Sequence, residues 1–243
     1  MNYPLGLLGW KIIRKRRLEL VNLSDIEEDK KFLAIYRKVK DQTMVRIERC
    51  YTLYQSVQYI IKNKIEGDFV ECGVWKGGSC MLMAYTLQEA GISNRKIYVY
   101  DTFEGMNEPT DADGQEAKDQ WQKGIKAAHN TMCYASYDVV RSNIESTGYP
   151  VENMVMVKGP VEKTIPATIP SAISLLRLDT DWYESTKHEL HHLYPLLARN
   201  GVLIVDDYGA WPGAQKATDE YFSTIPNTFL ARIDYTGRIV IKK

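Results

Sequence analysis

The chain has 243 residues, 44% of them hydrophobic and 26% charged, with Lys+Arg and Asp+Glu balanced at 31 each. That length suits one large α/β domain or two small ones, and its core needs no disulfide or structural metal. A net charge of zero argues against a general nucleic-acid binder, which carries a basic surplus. At the N-terminus Leu5, Leu7, Leu8, Trp10, Ile12 and Ile13 stand beside Lys11 and the run Arg14–Arg17. Residues 5–17 therefore have two possible fates, weak contact with an anionic membrane surface or packing against the body or a partner subunit. Packing is favoured, because the segment is short and its apolar face is not clean.

Ser24 and Asp25 are good helix N-caps, and Phe32, Ile35, Tyr36 and Val39 follow at helical spacing. Val45, Ile47, Leu53, Val57, Ile60 and Ile61 extend a second helical stretch that Gly67 stops. Residues 1–66 thus form a helical extension suited to substrate or oligomer contacts, a homodimer being the simplest case. From residue 67 to 243 the pattern alternates. Strand-like runs lie at Phe69–Val74, Ile97–Tyr100, Val155–Val157, Ile173–Leu178 and Val202–Val205. Helical stretches at Ser79–Ala90, Tyr137–Ser146 and Ser185–Ala198 separate them, which implies parallel βαβ units in a doubly wound sheet. Phe229–Ile233 and Arg238–Ile241, joined by a turn at Tyr235–Gly237, read as an antiparallel hairpin and bring the sheet to seven strands.

The four cysteines, Cys50, Cys72, Cys80 and Cys133, include no C-x-x-C pair, which disfavours a zinc knuckle, and Cys72 reads as a small core residue. With no secretory leader and no apolar run long enough to span a bilayer, a cytoplasmic setting is expected.

Three segments carry chemistry. Glu71-Cys72-Gly73-Val74-Trp75-Lys76-Gly77-Gly78-Ser79 follows the first strand, where glycines let the backbone approach a ligand closely. Its spacing is neither the dinucleotide G-x-G-x-x-G nor a P-loop. An acidic residue before spaced glycines suits a ligand with a positive amino-acid end, such as S-adenosylmethionine. Asp101-Thr102-Phe103-Glu104-Gly105-Met106 follows the second strand. An acid there is placed to bind a ribose diol, and Phe103 or Met106 to pack on adenine. Residues Asn107 to Gly124 read as a long mobile loop, a candidate lid.

The third segment is double. Asp179-Thr180-Asp181-Trp182-Tyr183 ends the fourth strand and Asp206-Asp207-Tyr208 the fifth. Adjacent strand ends in a parallel sheet open into one crevice, and four carboxylates there repel unless a cation neutralises them. Oxygen donors suit Mg²⁺, Ca²⁺ or Mn²⁺. In an extended segment Asp179 and Asp181 project to the same side, so one can hold metal while the other takes a proton; spacing does not assign the roles. His188 and His192 are i,i+4 on one helix but lack H-E-x-x-H, and read as surface or packing residues. His129 is a lone histidine near the lid.

Together the segments GDFVECGVWKGGS (67–79), YDTFEGM (100–106), LRLDTDWYEST (176–186) and GVLIVDDYGAWPGAQKA (201–217) resemble the family of macrocin and novobiocin O-methyltransferases. These are S-adenosylmethionine-dependent sugar O-methyltransferases. The resemblance implies a class I, Rossmann-like methyltransferase fold over residues 67–243. It implies Mg²⁺ held by Asp179, Asp206 and Asp207, with Asp181 as general base. It also implies cofactor contacts from Glu71, Gly73, Val74, Trp75, Gly77 and Ser79, from Asp101, Thr102, Phe103, Glu104 and Gly105, and from Val161 and Glu162 after the third strand. The aromatic residue common in the family near Pro160–Val161 is missing here. The acceptor it implies is the sugar hydroxyl of a small-molecule glycoside, nucleotide sugar or polysaccharide. The alternatives are a catechol-type O-methyltransferase, which also uses Mg²⁺ and vicinal hydroxyls, and a non-catalytic protein of a glycan-assembly complex. All four carboxylates are intact, which disfavours the latter.

Overall fold

The computed structural model describes residues 24–127 and 129–243, so the basic and apolar stretch at 5–17 lies outside the described residues. Three helices come first: α1 (Ser24–Glu28), α2 (Lys30–Val39) and α3 (Ile47–Lys62). Ser24 opens α1; the side-chain cap belongs to Asp29, whose carboxylate accepts from the Phe32 N–H and starts α2. The remainder alternates: β1 (Asp68–Cys72), α4 (Gly78–Glu89), β2 (Ile97–Asp101), α5 (Gly114–Gly124), α6 (Tyr137–Glu145), β3 (Met154–Lys158), α7 (Val161–Thr164) and β4 (Ile173–Leu178). It closes with α8 (Tyr183–Leu193), β5 (Leu197–Val205), α9 (Pro212–Ser223), β6 (Ala231–Arg232) and β7 (Arg238–Ile241).

The seven strands run in the order β3-β2-β1-β4-β5-β7-β6. The first five in that order pair in parallel, while β7 lies antiparallel to both β5 and β6. Every residue of β4 is buried, as a central strand covered on both faces requires. Strand alternation then divides the core. Phe69, Val99, Leu175 and Ile204 face a layer that contains Phe32, Val39, Leu53 and Val57 of α2 and α3 and Leu82 of α4. Val70, Tyr100, Leu176 and Leu203 face Leu190 and Leu193 of α8. The N-terminal helices therefore share the core of the sheet.

Chain order reverses between β1 and β4, the point where open parallel sheets bind ligands beyond their carboxyl ends. Three boundaries differ from the sequence pattern. β1 stops at Cys72, because Gly73 turns the chain at φ 79°. α8 ends at Leu193; Ala198 belongs to β5, which starts at Leu197 rather than Val202, and Pro195 between them blocks helix continuation. The stretch after Asn107 is not a structureless loop, since α5 occupies Gly114–Gly124. No helix among the described residues is long and apolar enough to cross a membrane.

Candidate active site

The turn after β1 is built by close approach. A Cβ on Gly73 would run into the carbonyl oxygen of Asp179, so only glycine lets the ends of β1 and β4 meet. Trp75 at φ 47° and Gly77 at φ 85° complete the turn, and Gly77 caps α4. Gly78 packs against the backbone of Gln42, which docks the N-terminal segment on the turn. Asp101 clamps it from β2. One carboxylate oxygen accepts from the N–H groups of Val74 (2.8 Å) and Trp75 (3.2 Å), the other from the Phe103 N–H (2.7 Å). Burial pushes this carboxyl up, and those N–H groups pull it back.

The carboxylates converge as their spacing predicts. Asp179, Asp206 and Asp207 each offer an oxygen within 4.8 Å of the others. Behind them Arg177 is buried at 2% exposure, ion-paired with Glu71 and bonded to Asp179 (2.7 Å) and Asp206 (2.6 Å). In front, Arg49 of α3 pairs with the other oxygen of Asp206 and lies 3.1 Å from Asp234. Five acids (Glu71, Asp179, Asp181, Asp206 and Asp207) thus meet two arginines, leaving negative charge in excess. Burial raises Glu71 to about 7 and Asp206 to about 6, and burial with the charge of Asp181 raises Asp207. Asp207 keeps one buried oxygen without a hydrogen-bond partner. A hard divalent cation fits this set: it would engage the orphaned oxygen and relieve the repulsion.

Asp181 stands apart. It sits at φ 65°, so the chain through Asp179 and Asp181 is not extended; a left-handed turn, rather than strand alternation, brings both into the cavity. Burial first, and the charge of Asp179 second, raise its carboxyl to about 7. Thr180 between them also lines the cavity and donates to Glu189 of α8 at 3.0 Å.

One cavity is lined by Glu71, Gly73, Val74, Trp75, Ser79, Asp101, Thr102, Gly105, Met106, Val161 and the four aspartates. Four expected contacts do not reach it. The Phe103 ring turns inward against Tyr137, at a centroid distance of 5.1 Å, because the residue adopts φ 55°, leaving Met106 as the cavity's candidate for adenine. Glu104 pairs with Lys158 over an adjoining cavity, Glu162 is exposed, and Gly77 serves the start of α4. Glu71 does line the cavity, yet its side chain is committed to Arg177 and Cys80. His129 stacks on Tyr134 at 4.2 Å, and His188 bonds the Ile165 carbonyl at 2.9 Å, consistent with packing roles.

The segment over the cavity is tied down on several sides. Asp113, 1% exposed, accepts from the N–H groups of Tyr183 (2.6 Å) and Thr110 (2.7 Å). Trp182 donates to the Asn107 carbonyl and Trp121 to that of Met106, both at 2.9 Å. The candidate lid is thus ordered and fastened at several points in this conformation.

Sequence reasoning missed Arg177, Arg49, Asp113 and Glu189. Arg177 had a signal, a charge inside the apolar run of β4 that demands a buried partner. Arg49 had none, since its partners Asp206 and Asp234 are remote in the chain.

A family model described as macrocin O-methyltransferase matches residues 7–242. The chain is 34% identical to demethyldecarbamoylnovobiocin O-methyltransferase of Streptomyces niveus over 179 residues, 74% of this chain and 67% of the relative. It is 34% identical over 166 residues to a rhamnosyl-tetracenomycin-C 4'-O-methyltransferase of Streptomyces olivaceus, 68% of this chain and 62% of the relative. Among solved structures, the O-methyltransferase NovP superposes with a TM-score of 0.73 at 32% identity, covering 83% of this chain and 82% of that one. The sheet order, the glycine turn and the paired strand-end aspartates accord with these matches, and the chain belongs to the macrocin O-methyltransferase family of O-methyltransferases.

Proposed function

We propose that the protein transfers the methyl group of S-adenosylmethionine to a sugar hydroxyl of a glycoside, nucleotide sugar or polysaccharide, with Mg²⁺ held by Asp179, Asp206 and Asp207. The observation that carries this reading is the opening of a hard-cation carboxylate set and a glycine turn into one cavity. The activities of the relatives, on demethyldecarbamoylnovobiocin and a rhamnosyl-tetracenomycin-C, favour a sugar over a catechol.

When bound, the cation lowers the pKa of an acceptor hydroxyl and S-adenosylmethionine presents an electrophilic methyl. The chain does the rest. Asp181 takes the hydroxyl proton: its carboxylate has no arginine partner among the described residues and titrates near neutral pH. Arg177 fixes Asp179 and Asp206 from behind. Asp101 holds the Val74 and Trp75 amides, shaping the turn on which the cofactor's amino-acid end rests, while Thr102, Met106 and Val161 line its adenosine end. Thr43, Met44 and Val45 wall the acceptor side. Holding both reactants in line removes up to roughly 7–11 kcal/mol of entropic barrier at the limit.

The test is transfer of a labelled methyl group to a panel of rhamnosides, nucleotide sugars and catechols with Mg²⁺ present. Labelled sugars with silent catechols are expected; the reverse would move the enzyme to the catechol class. Calorimetric absence of S-adenosylmethionine binding would end the reading.

A further inference from the structure

Asp206 is gripped from two sides. Arg177 Nη2 donates to one carboxylate oxygen at 2.6 Å, and Arg49 Nη1 donates to the other. Arg49 is itself held: its Nε lies 3.1 Å from Asp234 Oδ2. Asp234 belongs to the turn between β6 and β7, where its Oδ1 accepts from the N–H groups of Thr236 (2.9 Å) and Gly237 (2.7 Å). The side chains of Arg49 and Asp234 are each only 10% exposed. The path therefore runs from the C-terminal hairpin through an arginine of α3 to a carboxylate at the end of β5.

We infer that Arg49 and Asp234 form a positioning relay that orients Asp206 for cation binding, so that the N-terminal helix and the C-terminal hairpin set the metal affinity of a site to which neither contributes a ligand. The inference rests on the Mg²⁺ reading above. A terminal carboxylate torsion is soft, so one arginine on one oxygen leaves the group free to turn. Two arginines on opposite oxygens fix its plane while each oxygen retains a second lone pair for a cation. A lone positive charge beside the site would repel the cation. Here Asp234 offsets that charge through an ion pair with Arg49 Nε, although neither atom makes a hydrogen bond, so orientation dominates. Outer partners of this kind change metal affinity by 10–100-fold.

The experiment measures Mn²⁺ affinity of the full chain by electron paramagnetic resonance and calorimetry, without acceptor or methyl donor. The variants are Arg49→Gln, Asp234→Asn and the double mutant. Asp234→Asn is selective: an amide keeps the acceptor for Thr236 and Gly237 and cuts only the link to Arg49. It also serves if Arg49→Gln melts early. Expected are a loss of about 10–100-fold for Arg49→Gln, a smaller loss for Asp234→Asn, and a double mutant no weaker than Arg49→Gln. The Mn²⁺ spectrum should change in both single variants. Unchanged or tighter binding in Arg49→Gln would overturn the relay, as would additive losses. Wild-type protein that binds no Mn²⁺ would overturn the metal reading itself, and the relay with it.

Discussion

Asp181 shows how far a single side chain is determined by its surroundings. Burial and the neighbouring charge of Asp179 raise its carboxyl to about 7, and the left-handed backbone presents it beside the metal set. Replacing it by the isosteric amide removes the proton acceptor and the charge it places beside Asp207, while keeping its shape. Asp181→Asn should lower turnover by roughly 10²–10⁴-fold, with calorimetric affinity for Mg²⁺ and S-adenosylmethionine near wild type. Near-normal turnover would place the base elsewhere. The same group sets a pH limb. Proton abstraction needs the ionised form, so kcat/KM should climb with pH through the neutral range and level off above it. A bound cation favours ionisation, so raising Mg²⁺ should move that limb to lower pH, and the limb should vanish in Asp181→Asn. The four aspartates were legible as acids crowded at neighbouring strand ends. The turn that aims Asp181 was not, because strand alternation predicts the same direction by a different route. Of the two residues expected near adenine, Met106 lines the cavity and Phe103 does not: a positive φ at Phe103 reverses its ring, and nothing in D-T-F-E-G announces it.

At the scale of elements, the cover over the cavity depends on one carboxylate. Asp113 caps its own turn through Thr110 and reaches across to the first amide of α8. Gly213 of α9 leaves the room: a Cβ there would collide with the Asp113 carboxylate. That contact explains the glycine in W-P-G-A, which carries no catalytic group. Asp113→Ala strands the buried Tyr183 N–H and the half-buried Thr110 N–H and should cost about 1–3 kcal/mol in urea unfolding. It should also raise proteolysis around 107–113 and weaken cofactor binding. Unaltered stability and protease resistance would show that the tryptophans alone fasten the cover. Composition rich in Asp, Glu, Gly and Lys reads as a loop because α5 is polar and short; its order comes from tertiary ties that composition does not encode. Four of the five parallel strands were readable to within two residues, since strands buried on both faces leave continuous apolar runs, whereas the polar Arg199-Asn200 hid the first half of β5.

At the scale of the whole molecule, the N-terminal helices and the sheet share one core layer, which should make them unfold together. Phe32, at 0% exposure, packs in the same layer as Phe69 of β1 and Leu82 of α4. Phe32→Ala should therefore cost about 3–5 kcal/mol and shift a single unfolding transition seen by fluorescence and circular dichroism together. Two separated transitions would mark the helices as an appendage. If Asp179, Asp206 and Asp207 hold Mg²⁺ as proposed, its binding is linked to the same equilibrium. Mg²⁺ at 100 times its dissociation constant should stabilise the fold by about 2.7 kcal/mol, visible as a raised Tm that chelator reverses. The chelated enzyme should lose turnover and keep cofactor affinity.

Arg49 and Asp206 are 157 residues apart in the chain. Ribosomes add roughly 5–20 residues per second, so the arginine emerges on the order of ten to thirty seconds before its acid. During that interval β1, α4 and β2 appear early, while β4 and β5, which complete the layer over α2 and α3, come last. A truncation product ending before β4 should be cleared rather than accumulate as a half-formed enzyme.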